Sequence, residues 1–181
     1  MAEVLFCSTE DIVRKSSMLD GNIDVNKLIP SLHKAQTMRL REIIGTDLYN
    51  YYVTAITALI NNQTAIPTNH ANLLNDYIKP ILVHLTLAEF TNEASYTINN
   101  SGVFKHVPEN SQSLSTKEIG FIVQNERDTA QNYTERFLDH MAFYASANFP
   151  EWYSNSNDDV SPLHESFKID WVLWITDLFT Q

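Results

Sequence analysis

The histidines and acidic side chains of this chain could in principle serve acid–base or metal chemistry, but their spacing argues against both. A di-iron site in a helical bundle needs two Glu-x-x-His motifs, because residues i and i+3 lie on one helix face. None of the six histidines has a glutamate three positions before it. His164-Glu165 lacks the second histidine of a zinc-protease motif. Gly-x-Ser-x-Gly, the P-loop and Gly-x-Gly-x-x-Gly are also absent. The sequence therefore predicts no metal and no cofactor.

Isolated reactive residues do not combine into a catalytic group. Asp139 and His140 are neighbours, and neighbours in a helix point to different faces, so a solvated helix surface is the preferred interpretation. His84 lies in an apolar segment, where a hydrogen-bonded core histidine is favoured over a ligand. Cys7 precedes an acidic helix start, which should raise its thiol pKa and leave it unreactive. We therefore expect no catalytic residue and no enzyme.

Charge excludes a further class of function. The 181 residues include 12 Lys and Arg against 22 Asp and Glu, a net charge of −10, which argues against binding a nucleic-acid backbone by neutralising phosphates. Tyr49, Tyr51 and Tyr52 could stack bases, but that mode also needs a basic groove. Packing in a helical core is the better interpretation of these tyrosines. No apolar run is long enough to span a bilayer, so we expect a protein without membrane contact, made in a reducing compartment.

Capping signals and apolar periodicity predict a mainly α-helical protein, an antiparallel helical bundle. Long helices are expected at about 24–44, 47–60, 68–96 and 116–148, after a short one that Ser8 caps. Thr68 or Asn69 should cap the third, and Ser115 and Glu118 form a capping-box pattern for the last. Gly45 is a suitable residue to end the first. Two features concern helix interiors. Pro80 should kink the 68–96 helix, and Tyr144 should belong to the buried stripe of 116–148.

Two segments do not fit a plain helical bundle. Residues 97–115 contain short apolar pieces around a turn signal, including Ile98, Val103 and Phe104, and predict a β-hairpin or extended arm. Near the C-terminus apolar residues alternate at Phe167, Ile169, Trp171, Leu173 and Ile175, with Trp174 beside them, which favours a strand-like tail. We divide the chain into a helical domain, 1–150, and an acidic, Trp-containing extension, 151–181.

Lone strands expose unpaired backbone groups and need a partner. Arm and tail could pair with each other within one subunit, or could add to neighbouring subunits. Under the second interpretation the interface residues are Ile98, Val103, Phe104, Phe167, Ile169, Trp171 and Trp174. Tryptophan is enriched in interface hot spots, which favours this interpretation.

The helical region also resembles a known family. The runs Leu28-Ile29-Pro30-Ser31-Leu32-His33-Lys34-Ala35-Gln36, Ile43-Ile44-Gly45-Thr46-Asp47-Leu48-Tyr49 and Tyr77-Ile78-Lys79-Pro80-Ile81-Leu82-Val83-His84 are similar to small helical head–tail connector (adaptor) proteins of tailed bacteriophages. The similarity is greatest to those of crAss-like phages that infect Bacteroidetes. It covers roughly residues 1–150 and consists of fold residues rather than a chemical signature.

The resemblance implies a structural neck protein of the virion, assembled in the host cytoplasm. It implies a homo-oligomeric ring, typically of twelve subunits, that contacts the portal protein and tail or further neck proteins. Genomic DNA would pass through the lumen without specific binding, and an acidic lumen would repel its phosphates. The alternative is a soluble helical binding or regulatory protein that uses its C-terminal segment for docking.

Overall fold

The computed structural model describes residues 4–16, 19, 24–62, 64–94, 96–99, 102–105, 115–154, 156 and 159–164, and follows the backbone alone through 96–99 and 102–105. Within this part the fold is mainly helical, as predicted. The helices are α1 (Thr9–Lys15), α2 (Leu28–Lys34), α3 (Arg41–Ile44), α4 (Thr46–Asn62), α5 (Thr68–Leu73), α6 (Lys79–Ala94), α7 (Thr116–Asn148) and α8 (Pro150–Tyr153).

Two pairs of these helices are continuous through a wider π turn. Residues Ala35–Leu40 join α2 to α3, and Leu74–Ile78 join α5 to α6. The second π turn lies directly before Pro80. The Lys79 N–H donates to the Leu74 carbonyl five residues back. A wider turn at this point gives room for the proline ring, which clashes with the preceding turn in a regular helix. The helix therefore passes the proline as one continuous element.

Predicted caps account for the starts of α1 and α7. The Ser8 side chain accepts from the Asp11 N–H, and Ser115 and Glu118 form the complete capping box. The prediction for the start of α5 was wrong, because Pro67 occupies the N-cap and makes no side-chain hydrogen bond there. Proline's fixed φ orients the chain for a helix start without such a bond.

The core lies between α6 and the elements on either side of it, mainly α7 and α2. Tyr52 is fully buried, and its hydroxyl donates to the His70 carbonyl at 3.0 Å, while Tyr49 and Tyr51 pack partly buried against the same core. This agrees with the prediction that the tyrosines serve packing. Tyr144 was wrongly assigned to the buried stripe of α7. It is exposed, because it lies at the edge of the stripe formed by Phe137, Met141 and Ala145.

Two short strands follow α6. β1 (Tyr96–Asn99) pairs antiparallel with β2 (Gly102–Lys105), with Tyr96 opposite Lys105 and Ile98 opposite Val103.

Candidate interaction site

A cleft of about 580 Å³ opens between the α2–α3 helix, α6, α7 and the extended chain after α8. Its lining residues are Arg39, Glu42, Ile43, Leu85, Ala88, Glu89, Gln124, Arg127, Asp128, Ala130, Gln131, Thr134, Glu135 and Leu163. The volume lies in the range of small-molecule and peptide sites. Apolar side chains are mixed with charges of both signs, so the cleft suits an amphipathic occupant better than a uniformly charged one.

One wall of the cleft contains a buried carboxylate. Glu89 is buried in α6, and the Lys34 ammonium lies 2.5 Å from its Oε2. Lys34 also reaches Glu93 at 3.2 Å, and Ser31 donates to Glu93 at 2.6 Å. The hydrogen bond to Glu89 raises the pKa of Lys34. A buried charge needs such a partner, so this ion pair fixes α2 against α6.

A second polar pair connects α6 and α7. His84 Nδ1 lies 2.7 Å from Oε2 of the buried Glu126, and the imidazole ring stacks on Tyr133 with a centroid distance of 5.5 Å. The predicted hydrogen bond of His84 is confirmed, but its side chain is 20% exposed and therefore only partly in the core. Glu126 was not predicted as its partner, because sequence periodicity places the carboxylate on α7 without indicating which side chain of α6 faces it.

Asp139 and His140 are not an acid–base pair. Asp139 is exposed, whereas the His140 ring stacks on Tyr77 at 4.5 Å and contacts Tyr144 at 4.7 Å. Burial lowers the pKa of His140. The different surroundings agree with the expectation that helix neighbours face apart.

Cys7 is buried in the core. Burial, with a smaller contribution from Asp11, raises the pKa of its thiol to about 11. The predicted direction is confirmed, but the main cause is desolvation rather than the acidic helix start. A thiol with so high a pKa is almost wholly protonated near neutral pH and is a poor nucleophile.

The chain after α8 is fastened to the corner between α3 and α4. The Thr46 N–H donates to the Val160 carbonyl at 2.9 Å, the Leu163 N–H donates to the Ile43 carbonyl at 3.1 Å, and Arg41 pairs with Asp159. We call these contacts, together with Pro162 on Gly45, the corner clamp.

Gly45 is the residue that makes the corner clamp possible. Its φ of +77° belongs to the left-handed region, and a Cβ there would lie 2.8 Å from Cδ of Pro162. Glycine thus allows both the turn between α3 and α4 and the close approach of Pro162. Sequence analysis identified the helix end at Gly45 but not its contact with a residue more than a hundred positions later.

The clamp brings Leu163 to the rim of the cleft, so the segment that follows His164 starts there. Of the predicted interface residues, Ile98 and Val103 lie opposite each other in the strand pair, and Phe104 lies opposite Thr97. Phe167, Ile169, Trp171 and Trp174 fall outside the described residues.

Sequence analysis missed one surface. Phe121 and Phe143 are 76% and 81% exposed, the highest values among the large hydrophobic side chains described, and both belong to α7. The signal was present as two phenylalanines outside the predicted buried stripe, at positions that turn away from the core.

The described helices do not include one with the length and hydrophobicity needed to cross a membrane. In the same residues, no three His, Cys, Asp or Glu side chains come together as potential metal ligands.

Comparison with known proteins gives one match. The model of a family of unknown function, DUF6712, matches residues 40–161, from the last residue of the first π turn to the corner clamp. No curated protein and no solved structure matches the chain.

Proposed function

The chain belongs to DUF6712, and because a family of unknown function supplies no activity, we propose a role from the geometry: a non-enzymatic structural subunit that assembles with copies of itself. In keeping with the resemblance of residues 1–150, the assembly is a head–tail connector ring in the neck of a tailed phage virion. The ring contacts the portal and tail or further neck proteins.

The corner clamp is the observation that carries this proposal. Hydrogen bonds of the backbone at Val160 and Leu163 hold the chain on the α3–α4 corner, so the segment that follows His164 in the sequence begins next to a fixed point. That segment carries Phe167, Trp171 and Trp174. An anchored segment rich in aromatic residues is suited to bind a neighbour, because anchoring lowers the entropy lost on binding.

The strand pair supports the same role. β1 and β2 form a two-stranded sheet, so each has one edge that the other does not cover. Uncovered strand edges favour pairing with another chain. We propose that this arm, with Ile98, Val103 and Phe104, and the tail, with Phe167, Ile169, Trp171 and Trp174, lie at subunit boundaries.

The net charge of −10 fits a channel for DNA that does not bind it. A negative lumen repels phosphates and lets the duplex slide, whereas a basic lumen would hold it in a salt-dependent way.

Truncation tests the proposal. A chain lacking residues 165–181, and separately Val103→Ser/Phe104→Ser, should keep the helical circular-dichroism spectrum, because the described core ends at the clamp. Neither variant should form rings in negative-stain images of protein mixed with portal. Tyr153→Ala, which removes an exposed aromatic of α8, is the matched control and should still assemble. Normal rings from both variants would contradict the assignment, and unfolding of the truncated chain would place the tail in its own subunit's core.

The cleft favours a second candidate, a soluble helical binding protein. Its volume of about 580 Å³ and its mixed lining suit a peptide or a small amphipathic ligand. Mass measurement separates the candidates: the ring requires a high-order complex when portal is present, and a binding protein stays a monomer or dimer.

A further inference from the structure

The outward face of α7 carries a straight stripe of exposed side chains. An α-helix turns by about 100° per residue, and on that basis all side chains of the stripe project within a sector of about 80° around the helix axis. The members of this α7 stripe are Phe121, Asn125, Asp128, Asn132, Arg136, Asp139 and Phe143. The buried residues Val123, Ala130, Phe137 and Met141 lie on the opposite side of the helix. The stripe as a whole therefore points away from the core, with Asp128 at the edge that borders the cleft.

Spacing makes the stripe unusually regular. Phe121, Asn132 and Phe143 are eleven residues apart, and eleven residues make three turns of an almost undistorted α-helix. A second helix could therefore lie alongside α7 over about 33 Å without either helix having to supercoil.

The residues of the stripe, taken in order from one end, are complementary to the same residues taken in order from the other end. If two copies of α7 lie antiparallel with Asn132 on a two-fold axis, each position faces the one equally far on the other side of Asn132. Phe121 then faces Phe143 of the second copy, and Asp128 faces Arg136. Asn125 faces Asp139, whose carboxylate can accept from the amide. Every stripe residue meets a suitable partner, and the axis generates each contact twice.

A parallel arrangement would do the opposite. It would place Asp128 against Asp128 and Arg136 against Arg136, and like charges in direct contact are unfavourable. Charge complementarity therefore selects both the occupant and its direction. We propose that the α7 stripe is a two-fold interface with a second copy of this chain, packed antiparallel.

Within the described part of the subunit, Asp128 and Arg136 contact near neighbours on α7. Asp128 accepts from Gln124 at 2.7 Å, and the Arg136 guanidinium lies over the Tyr133 ring at 5.6 Å. Both side chains are exposed and can turn toward a partner. Four phenylalanine side chains meet at the two ends and bury on the order of 600 Å² in all. With the polar centre this contact lies at the small end of specific interfaces, and we expect a dissociation constant in roughly the micromolar range.

This inference goes beyond the proposed ring and does not rest on it. A two-fold contact closes after two copies and cannot by itself continue around a ring, so the ring needs other surfaces. Loss of the tail should abolish the ring and leave the α7 dimer, and disruption of the stripe should abolish the dimer in the absence of portal.

Charge exchange tests the interface. Sedimentation equilibrium of the full-length chain from about 1 to about 100 μM should show a monomer–dimer equilibrium. Asp128→Arg and Arg136→Asp should each weaken dimerisation at least about tenfold, because each places like charges opposite each other twice. The double variant Asp128→Arg/Arg136→Asp should restore it. Phe121→Ser/Phe143→Ser should leave a folded monomer, whereas Ile60→Ser, at an exposed hydrophobic position on α4, should dimerise as the unmodified chain does.

Crosslinking tests the axis directly. Two α-helices pack 8–10 Å apart, so facing Cα atoms on the axis lie roughly 4–5 Å from each other, within reach of a disulfide. Asn132→Cys should therefore form a covalent dimer on mild oxidation. Asn72→Cys, exposed on α5, is the control and should not crosslink, and Cys7 is buried. A monomer at every concentration overturns the proposal. So does a dimer that the single charge variants leave intact, or one that the double exchange fails to restore.

Discussion

Helices α6 and α7 pack against each other, but the residues that do not match their surroundings are of opposite kinds in the two helices. α6 is buried on nearly all sides, and its exceptions are polar: Glu89 and His84, each with a partner from another helix of the same subunit. α7 is half solvated, and the exceptions on its solvated side are apolar: Phe121 and Phe143 point away from the subunit. The polar side chains of α6 are paired within the chain, whereas burial of the exposed phenylalanines of α7 would need a partner outside it.

The largest expected effect is a difference in stability between two phenylalanine variants on opposite faces of α7. Phe137 is fully buried, and Phe143 is 81% exposed only six residues later. Phe137→Ala should lower the free energy of unfolding by about 3–5 kcal/mol, because it removes a core ring and leaves a cavity. Phe143→Ala should change the stability of the monomer by less than about 0.5 kcal/mol. Urea denaturation at low protein concentration measures both, and equal losses would contradict the assignment of faces.

A smaller effect tests whether the polar side chains of α6 are stabilised by partners inside the chain. His84→Phe leaves the buried Glu126 carboxylate without its imidazole partner and should lower the free energy of unfolding by about 1–3 kcal/mol. The double variant His84→Phe/Glu126→Met should cost less than the sum of the two single changes, because no buried charge remains unpaired. Strict additivity in thermal or urea unfolding would show that the pair does not interact.

The smallest effect concerns pH. Burial lowers the pKa of His140, so the folded chain holds this proton less tightly than the unfolded chain, whose histidines titrate near pH 6.5. The stability that His140 contributes is present above about pH 6.5 and is lost as the pH falls toward the lowered pKa. His140→Gln should therefore weaken the decline in stability between about pH 7.5 and about pH 5.5. A decline as steep as that of the unmodified chain would count against this origin.

The sequence predictions that were confirmed depend on residues close together in the sequence. The capping box of Ser115 and Glu118, the cap at Ser8 and the helix end at Gly45 depend on residues a few positions apart. The bounds expected for the last long helix, 116–148, coincide with α7. Such features follow from the chemistry of one turn of backbone and need no knowledge of the remaining fold.

Features that depend on distant parts of the chain were not predicted. Glu126 faces His84, and Pro162 covers Gly45, only after the helices have packed. The start of α5 was misjudged because proline can orient a helix without a side-chain cap. The α7 stripe could have been found from sequence, since its self-complementary order is visible there, but only once the buried side of α7 was known in full.

The corner clamp also bears on how the subunit folds in time. Arg41 and Asp159 are 118 residues apart, so their contact closes a loop that takes in most of the chain. Closing a loop of that length costs entropy that only an assembled bundle can offset, and contacts of long sequence separation slow folding when they must form early. We expect the contacts of the clamp to form after the transition state of folding. The clamp should therefore slow unfolding and have little influence on the rate of folding. A weakened clamp would shorten the lifetime of the native subunit, while the helices would still come together at almost the same speed.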